Sequence, residues 1–314
     1  MQRRHFLQQS ILCASASLVS FPGLSNWAPS RKFTMSLDPG AIGVAADQRQ
    51  LIDWAAEYGF EAVSPFPTFL AEQDEAARAD LLATMKEKNI GWGVAGLPVE
   101  FRKEATTFRT DLKALPRMAK ALHQAGATRI GTWIMPNHAE LNYLKNFQQH
   151  TDRLREVATV LQDYNLRLGL EYVGPKTLRN AQKYAFIATL EETQALIDAI
   201  GLKNVGVTLD SFHWYTAEES VDDILTLTNT EIVACDLNDA RRGRGPQEQL
   251  DGERELPMAT GLIPAKEFLE ALVKVGYDGP VRAEPFSQPL NDTEDQQAIA
   301  TTARAMKQAF ALLG

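Results

Sequence analysis

The stretch Val205-Gly206-Val207-Thr208-Leu209-Asp210 decides the fold, because a short run of strand-type residues ends there on an acid. Three more runs have the same form, and they span Leu166–Glu171, Ile232–Asp236 and Pro280–Glu284. The segments between them are long enough to hold helices. In a parallel α/β barrel every strand ends at one rim, so these acids would converge there. The acids are Glu171, Asp210, Asp236 and Glu284.

Four carboxylates at one rim predict a bound cation. Like charges gathered in one place repel each other unless something neutralises them. The alternative is that each acid caps the helix that follows its strand, which is common. Because the pattern recurs in successive units, it favours a divalent metal site at the mouth of the barrel.

The remainder of the chain repeats the same alternation of strand and helix from about Arg31 onward. Four earlier strands are predicted within 33–44, 60–63, 90–96 and 129–134. Eight strand–helix units without a change in composition predict a single (β/α)8 TIM barrel over residues 31–314. An open doubly wound sheet is the alternative, but no Gly-x-Gly-x-x-Gly opens a helix.

Residues 1–30 are predicted to be a separate signal region. Arg3 and Arg4 precede Phe6-Leu7 and a modest apolar stretch, which is typical of a twin-arginine export signal. The alternative is a basic, unstructured lead-in. Export predicts a periplasmic protein, and a leader that does not function predicts a cytoplasmic one. If the leader is removed with Cys13, then Cys235 is left without a disulfide partner.

Composition excludes two classes of partner. The chain has 314 residues, 45% of them hydrophobic, and a formal net charge of −8. That charge provides no basic footprint for nucleic acid, and no apolar run is long enough for stable membrane insertion. The sequence leaves open whether the protein is a homo-oligomer.

Three side chains in the loops after the acidic strands are candidate substrate ligands. His213 follows Asp210 by three residues and can reach the same cavity, unless it packs under Trp214 instead. Arg242 belongs to an arginine- and glycine-rich loop that could cover an oxygen-rich ligand or carry solvated charges. Lys176 follows Glu171 closely enough to bind a carboxylate or hydroxyl at the rim. The long connection from 249 to 261 is either functional or disordered.

These residues together resemble the sugar phosphate isomerase/epimerase superfamily, the xylose isomerase-like barrels. The resemblance is carried by Leu170-Glu171, by Asp210-Ser211-Phe212-His213, by Arg242-Gly243, and by Gly276-Tyr277-Asp278-Gly279-Pro280 leading to Glu284-Pro285-Phe286. It implies that the acidic strand ends hold a divalent metal, commonly manganese, with magnesium or cobalt as alternatives. It also implies that Glu171 and Glu284 are the catalytic acid/base pair, and that His213 and Arg242 contact the substrate.

One residue departs from the family pattern. The family usually has a histidine on the seventh strand, where this chain has Asp236. A carboxylate is a competent ligand for a hard cation, but it makes the cluster one unit more negative. We expect this change to favour manganese or magnesium over softer ions. Asp239 would take the ligand position if the register were shifted.

The resemblance implies a metal-dependent isomerase or epimerase acting on a small sugar or keto-polyol. Its mechanism would be proton transfer next to a carbonyl, through an enediolate, by the glutamate pair. Two alternatives stay open. A hydroxyl β to the carbanion would make the enzyme a dehydratase or lyase, and loss of catalysis would leave an exported sugar-binding barrel.

Overall fold

The computed structural model describes residues 31–314, in which strands and helices alternate from the first strand onward. The predicted signal region, residues 1–30, lies outside the described residues. The barrel strands are β1 (Thr34–Leu37), β2 (Ala62–Val63), β3 (Gly91–Trp92), β4 (Ala95–Gly96), β5 (Arg129–Ile134), β7 (Arg167–Tyr172), β9 (Val205–Asp210), β10 (Ile232–Leu237) and β11 (Pro280–Ala283). A small antiparallel pair, β6 (Asn137–His138) and β8 (Tyr184–Ala185), lies outside the barrel.

The barrel closes through its third strand. The sheet runs in the order β3-β2-β1-β11-β10-β9-β7-β5-β4, and every pairing in it is parallel. Its two end strands, β3 and β4, are separated only by Gly93 and Val94, so they are halves of one strand that pair to opposite sides. A Cβ on Gly93 would lie 2.4 Å from Ser36 Oγ, which explains why glycine stands at the break. The predicted TIM barrel is confirmed.

The helices that cover the barrel begin and end where local chemistry predicts. Helix α1 is capped at its start by Asp47, whose carboxylate accepts from the Gln50 amide, and at its end by Gly59 with φ +77°. The helices of eight or more residues are α1 (Gln48–Tyr58), α3 (Glu75–Lys88), α4 (Ala105–Gln124), α5 (Tyr143–Gln162), α7 (Leu190–Ile200), α10 (Ala265–Lys274) and α12 (Asp295–Phe310). The shorter helices are α2 (Pro67–Glu72), α6 (Lys176–Arg179), α8 (Ser211–Thr216), α9 (Val221–Leu225) and α11 (Gln288–Asn291).

The hydrophobic core fills the layer between the barrel and its helices. Leu154, Val157 and Leu161 recur on one face of α5 and are fully buried. Strand β9 is buried along its whole length, as expected for a parallel strand covered on both faces. None of the helices within residues 31–314 combines the length and apolarity that a membrane crossing requires.

Candidate metal centre

Four carboxylates meet at the carboxyl ends of adjacent strands. Asp210 ends β9, and its Cα is paired with that of Asp236 in β10. Glu171 lies near the end of β7, and Glu284 follows β11 directly. Each of the four side chains is buried and offers an oxygen within 4.8 Å of an oxygen from every other. The parallel register therefore brings together the acids that the sequence places at strand ends.

One arginine inside the barrel binds this cluster from the β11 side. Arg282 donates from Nε and Nη2 to both oxygens of Asp236, at 2.6 and 3.0 Å. Its Nη2 also donates to Glu284 Oε1 at 2.8 Å, and its Nη1 donates to Asp38 Oδ2 at 2.7 Å. Sequence reasoning missed Arg282 and Asp38. Strand periodicity could have indicated Arg282, because it lies two residues before Glu284 and residues two apart on a strand share a face.

A second buried arginine reaches the cluster from the long connection after β10. Arg254 Nη1 donates to Asp210 Oδ2 at 2.9 Å and to Glu284 Oε2 at 3.0 Å, and Nη2 donates to Asp251 Oδ1 at 2.7 Å. Its guanidinium lies 4.5 Å from the ring centroid of Phe286. No local pattern singles out Arg254. The connection that carries it is ordered in the structure and contributes directly to the site.

Asp239 anchors that connection and lies outside the carboxylate cluster. Its two carboxylate oxygens accept from backbone amides of Ala240, Thr260, Gly261, Leu262 and Ile263. Its backbone also pairs with Glu255 next to Arg254. The alternative register, with Asp239 in the ligand position, is therefore wrong, because this carboxylate is already saturated by amide donors.

The electrostatics of the cluster favour a cation. Burial, followed by the neighbouring carboxylates of Glu284, Asp236 and Asp210, raises the pKa of Glu171 well above its usual range. Burial also raises the pKa of Asp210 to about 6 and, against the pull of Arg282, that of Glu284 to about 8. Oε1 of Glu171 is buried without a hydrogen-bond partner. A cation would relieve the mutual repulsion of the four carboxylates and could use the free oxygen of Glu171 as a ligand.

The donor set fits a hard divalent ion. Glu171 has unused lone pairs on Oε1, and the oxygens of Asp236 and Glu284 each accept only one hydrogen bond. Asp210 is more fully engaged, because each of its oxygens accepts two hydrogen bonds. Oxygen ligands of this kind suit manganese and magnesium.

His213 lies beside the cluster, buried and neutral. Gly174 N–H points at Nδ1 from 3.3 Å, and Arg254 Nη2 lies 3.1 Å from Nε2. Both neighbours are hydrogen-bond donors, so a protonated ring would place an N–H group against each of them. Burial, with Arg254 second, lowers the pKa of His213 to about 3. A Cβ on Gly174 would lie 2.4 Å from the His213 carbonyl oxygen, so glycine permits this close approach.

Two cavities adjoin the cluster. The outer one, of about 260 Å³, has an apolar wall and a polar wall that includes Glu171, Glu284 and Arg254. The apolar wall is formed by Trp133, Met135, Val173, Leu178 and Phe286. The inner one, of about 180 Å³, shares Trp133 and both glutamates. Trp133 and Phe286 remain 40% and 37% exposed, and Phe286 has a strained φ of +41°.

The other two candidate substrate ligands, Arg242 and Lys176, make contacts away from the carboxylate cluster. Arg242 is exposed and donates to the Thr260 carbonyl oxygen at 3.0 Å. Lys176 is also exposed, and its Nζ donates to Gln247 Oε1 at 2.9 Å. Neither residue lines the cavities that contain Glu171 and Glu284. The arginine that the structure brings to the carboxylates is Arg254, which lies further along the same connection.

Comparisons of sequence and of structure relate this chain to known proteins. Residues 52–309 match the xylose isomerase-like TIM barrel family. D-psicose 3-epimerase of Ruminiclostridium cellulolyticum is 26% identical over 252 residues, 77% of this chain and 79% of that protein. Inosose isomerase of Halalkalibacterium halodurans is 23% identical over 194 residues, 61% of this chain and 64% of that protein. A solved xylose isomerase domain protein from Alicyclobacillus acidocaldarius is 30% identical with a TM-score of 0.78, covering 90% of this chain and 99% of that one.

Proposed function

Because this chain belongs to the xylose isomerase-like TIM barrel family, we propose that it is a divalent-metal-dependent sugar isomerase or epimerase. The observation that carries the proposal is the convergence of four buried carboxylates beside a cavity, one of them with an unpartnered oxygen. The related epimerase and isomerase named above support the reaction class.

The cation would be held by Glu171, Asp236 and Glu284, with Asp210 as the fourth ligand. When bound, it would polarise a substrate carbonyl and acidify the adjacent C–H. By the family resemblance we propose manganese first, with magnesium and cobalt as alternatives, and an all-oxygen donor set is compatible with manganese or magnesium.

Glu171 and Glu284 would carry the proton. Both line the outer and the inner cavity, so a substrate carbon held between them is within reach of either. One glutamate removes the proton next to the carbonyl, giving an enediolate. The other returns a proton on the opposite face, which is epimerisation, or at the adjacent carbon, which is isomerisation.

Arg254 and His213 would orient the substrate. The Arg254 guanidinium is held by Asp210, Asp251 and Glu284 and lines the outer cavity, so it would position Glu284 and present a positive charge to a substrate oxygen. His213 stays neutral and lines the same cavity, so it would contact the substrate without supplying a proton at neutral pH. The apolar wall with Trp133 and Phe286 suits the C–H face of a sugar ring, which supports a polyhydroxy ketone as substrate.

Solvent-isotope exchange tests the proposal. Manganese-loaded protein is incubated in heavy water with a panel of ketoses, keto-glycosides and inososes, and deuterium next to the carbonyl is followed by NMR. We expect exchange with at least one substrate, reduced about 10²–10⁴-fold in Glu171→Gln and in Glu284→Gln. Glu87→Gln, an exposed glutamate on α3, is the matched control and should behave as wild type.

The same assay separates the alternatives. Exchange accompanied by loss of water from the substrate would assign a dehydratase or lyase. Sugar binding without exchange across the whole panel would overturn the enzyme proposal and leave a binding barrel.

A further inference from the structure

Asp236 and Arg282 are direct partners across two barrel strands. Their Cα atoms are paired in the parallel ladder between β10 and β11, so their side chains leave the sheet side by side. Arg282 then donates to both carboxylate oxygens of Asp236, which is the two-point geometry that a guanidinium forms with a carboxylate. The contact is built into the barrel wall and does not depend on a surface loop.

All three nitrogens of Arg282 are held. Nε and Nη2 contact Asp236, Nη2 also contacts Glu284, and Nη1 contacts Asp38. Asp38 is itself fixed by Ser64 Oγ at 2.7 Å and by two backbone amides. The guanidinium therefore cannot turn away from Asp236 without breaking contacts to three carboxylates.

This contact has a consequence for charge. The resemblance described in the sequence analysis implies a neutral imidazole where this chain has Asp236, so the aspartate adds one negative charge to the site. Arg282 adds one positive charge in direct contact with that aspartate. The pair as a whole is neutral, as an imidazole is, while it still offers an oxygen in place of a nitrogen.

We propose that Asp236 and Arg282 act as one neutral ligand unit, in which Arg282 is a positioning residue that limits how tightly the site binds a divalent cation. The inference rests on the proposed function, because it assumes that the carboxylate cluster binds a cation. It predicts a direction for the change in cation affinity that a purely structural arginine would not produce. Removing the nearby positive charge should strengthen cation binding, although the arginine holds a ligand in place.

The test is calorimetric titration of full-length, metal-stripped protein with Mn²⁺, Mg²⁺ and Zn²⁺, alongside circular dichroism to verify folding. Arg282→Gln should bind Mn²⁺ at least about tenfold more tightly than wild type. Arg282→Lys retains the charge but lacks the two-point geometry, so it should bind no more tightly than wild type.

A second pair of variants keeps the inference testable if Arg282→Gln does not fold. Asp236→Asn leaves the charge of Arg282 uncompensated and should weaken Mn²⁺ binding at least about 100-fold. The double variant Asp236→Asn with Arg282→Gln restores neutrality, so it should bind at least about tenfold more tightly than Asp236→Asn alone.

The outcomes separate this inference from the proposed function. Wild-type protein that takes up no divalent cation would refute metal dependence, and with it this inference. Wild-type binding combined with equal or weaker binding in Arg282→Gln would overturn the inference alone. A double variant that binds Mn²⁺ no more tightly than Asp236→Asn alone would also overturn it, because the uncompensated charge of Arg282 would then not be what weakens binding.

Discussion

Changing Glu171 to glutamine should make the metal-free protein more stable while removing its activity. Glu171 lies within 4.8 Å of three other carboxylates, and its Oε1 has no hydrogen-bond partner to lose. At that separation one pair of unit charges repels by about 3 kcal/mol at an effective dielectric constant of about 20. Arg254 offsets part of this repulsion. We therefore expect a gain of at least about 1 kcal/mol in the free energy of unfolding.

The measurement is urea denaturation at pH 8 with a chelator present, for wild type, Glu171→Gln and the exposed control Glu87→Gln. Adding Mn²⁺ should reverse the order of stability. A ligand at 100 times its dissociation constant stabilises the folded state by about 2.7 kcal/mol, and the variant has lost one charged ligand. Deuterium exchange into substrate should fall about 10²–10⁴-fold in the variant.

Two results would refute this reasoning. If the metal-free Glu171→Gln protein is less stable than wild type, the carboxylates are not in the repulsive arrangement that the structure describes. If the variant keeps more than a tenth of wild-type exchange, Glu171 is not part of the proton-transfer pair.

Three further predictions concern other parts of the chain. Arg254→Gln should raise KM more than about tenfold, because Arg254 lines the outer cavity. Arg242→Gln, outside the cavities, should change KM less than about threefold. Equal effects of the two variants in steady-state kinetics would contradict this. Burial lowers the pKa of His150 to about 4, so the unfolded chain takes up the proton first and stability falls by about 3 kcal/mol between pH 6.5 and 4. That loss should be absent from denaturation curves of His150→Phe. Arg3→Lys with Arg4→Lys should keep the protein out of the periplasm, as cell fractionation would show.

Much of the barrel was predictable because its rules are local. Apolar runs of strand length, helix caps such as Asp47 and stops such as Gly59 depend on residues close together in the chain. Predicted and observed bounds agree for β5, and the run predicted at Leu166–Glu171 differs from β7 by one residue at each end. The third strand was predicted as one run and is instead two segments around Gly93, because its first half pairs with β2 and its second half pairs with β5.

The acids of the site were predictable for the same reason, since their position at strand ends is a property of each strand. The arginines were not. Arg254 reaches Asp210 across 44 residues, and Arg282 reaches Asp38 across 244. Arg242 was suggested by its spacing along the chain. The connection after β10 is instead held by the contacts of Asp239, and these contacts place Arg254 beside the carboxylates.

Residue order alone was enough to predict the barrel, the four acids at its rim and, through the family resemblance, an aspartate where a histidine is usual. How the charge of those acids is balanced follows only from the folded chain. The balance depends on which side chains from distant strands share one low-dielectric interior, where charges interact strongly over a few ångströms. Chain connectivity fixes which residues are neighbours within a strand, but the pairing of strands in the barrel fixes neighbours across strands. That pairing places Arg282 in contact with Asp236.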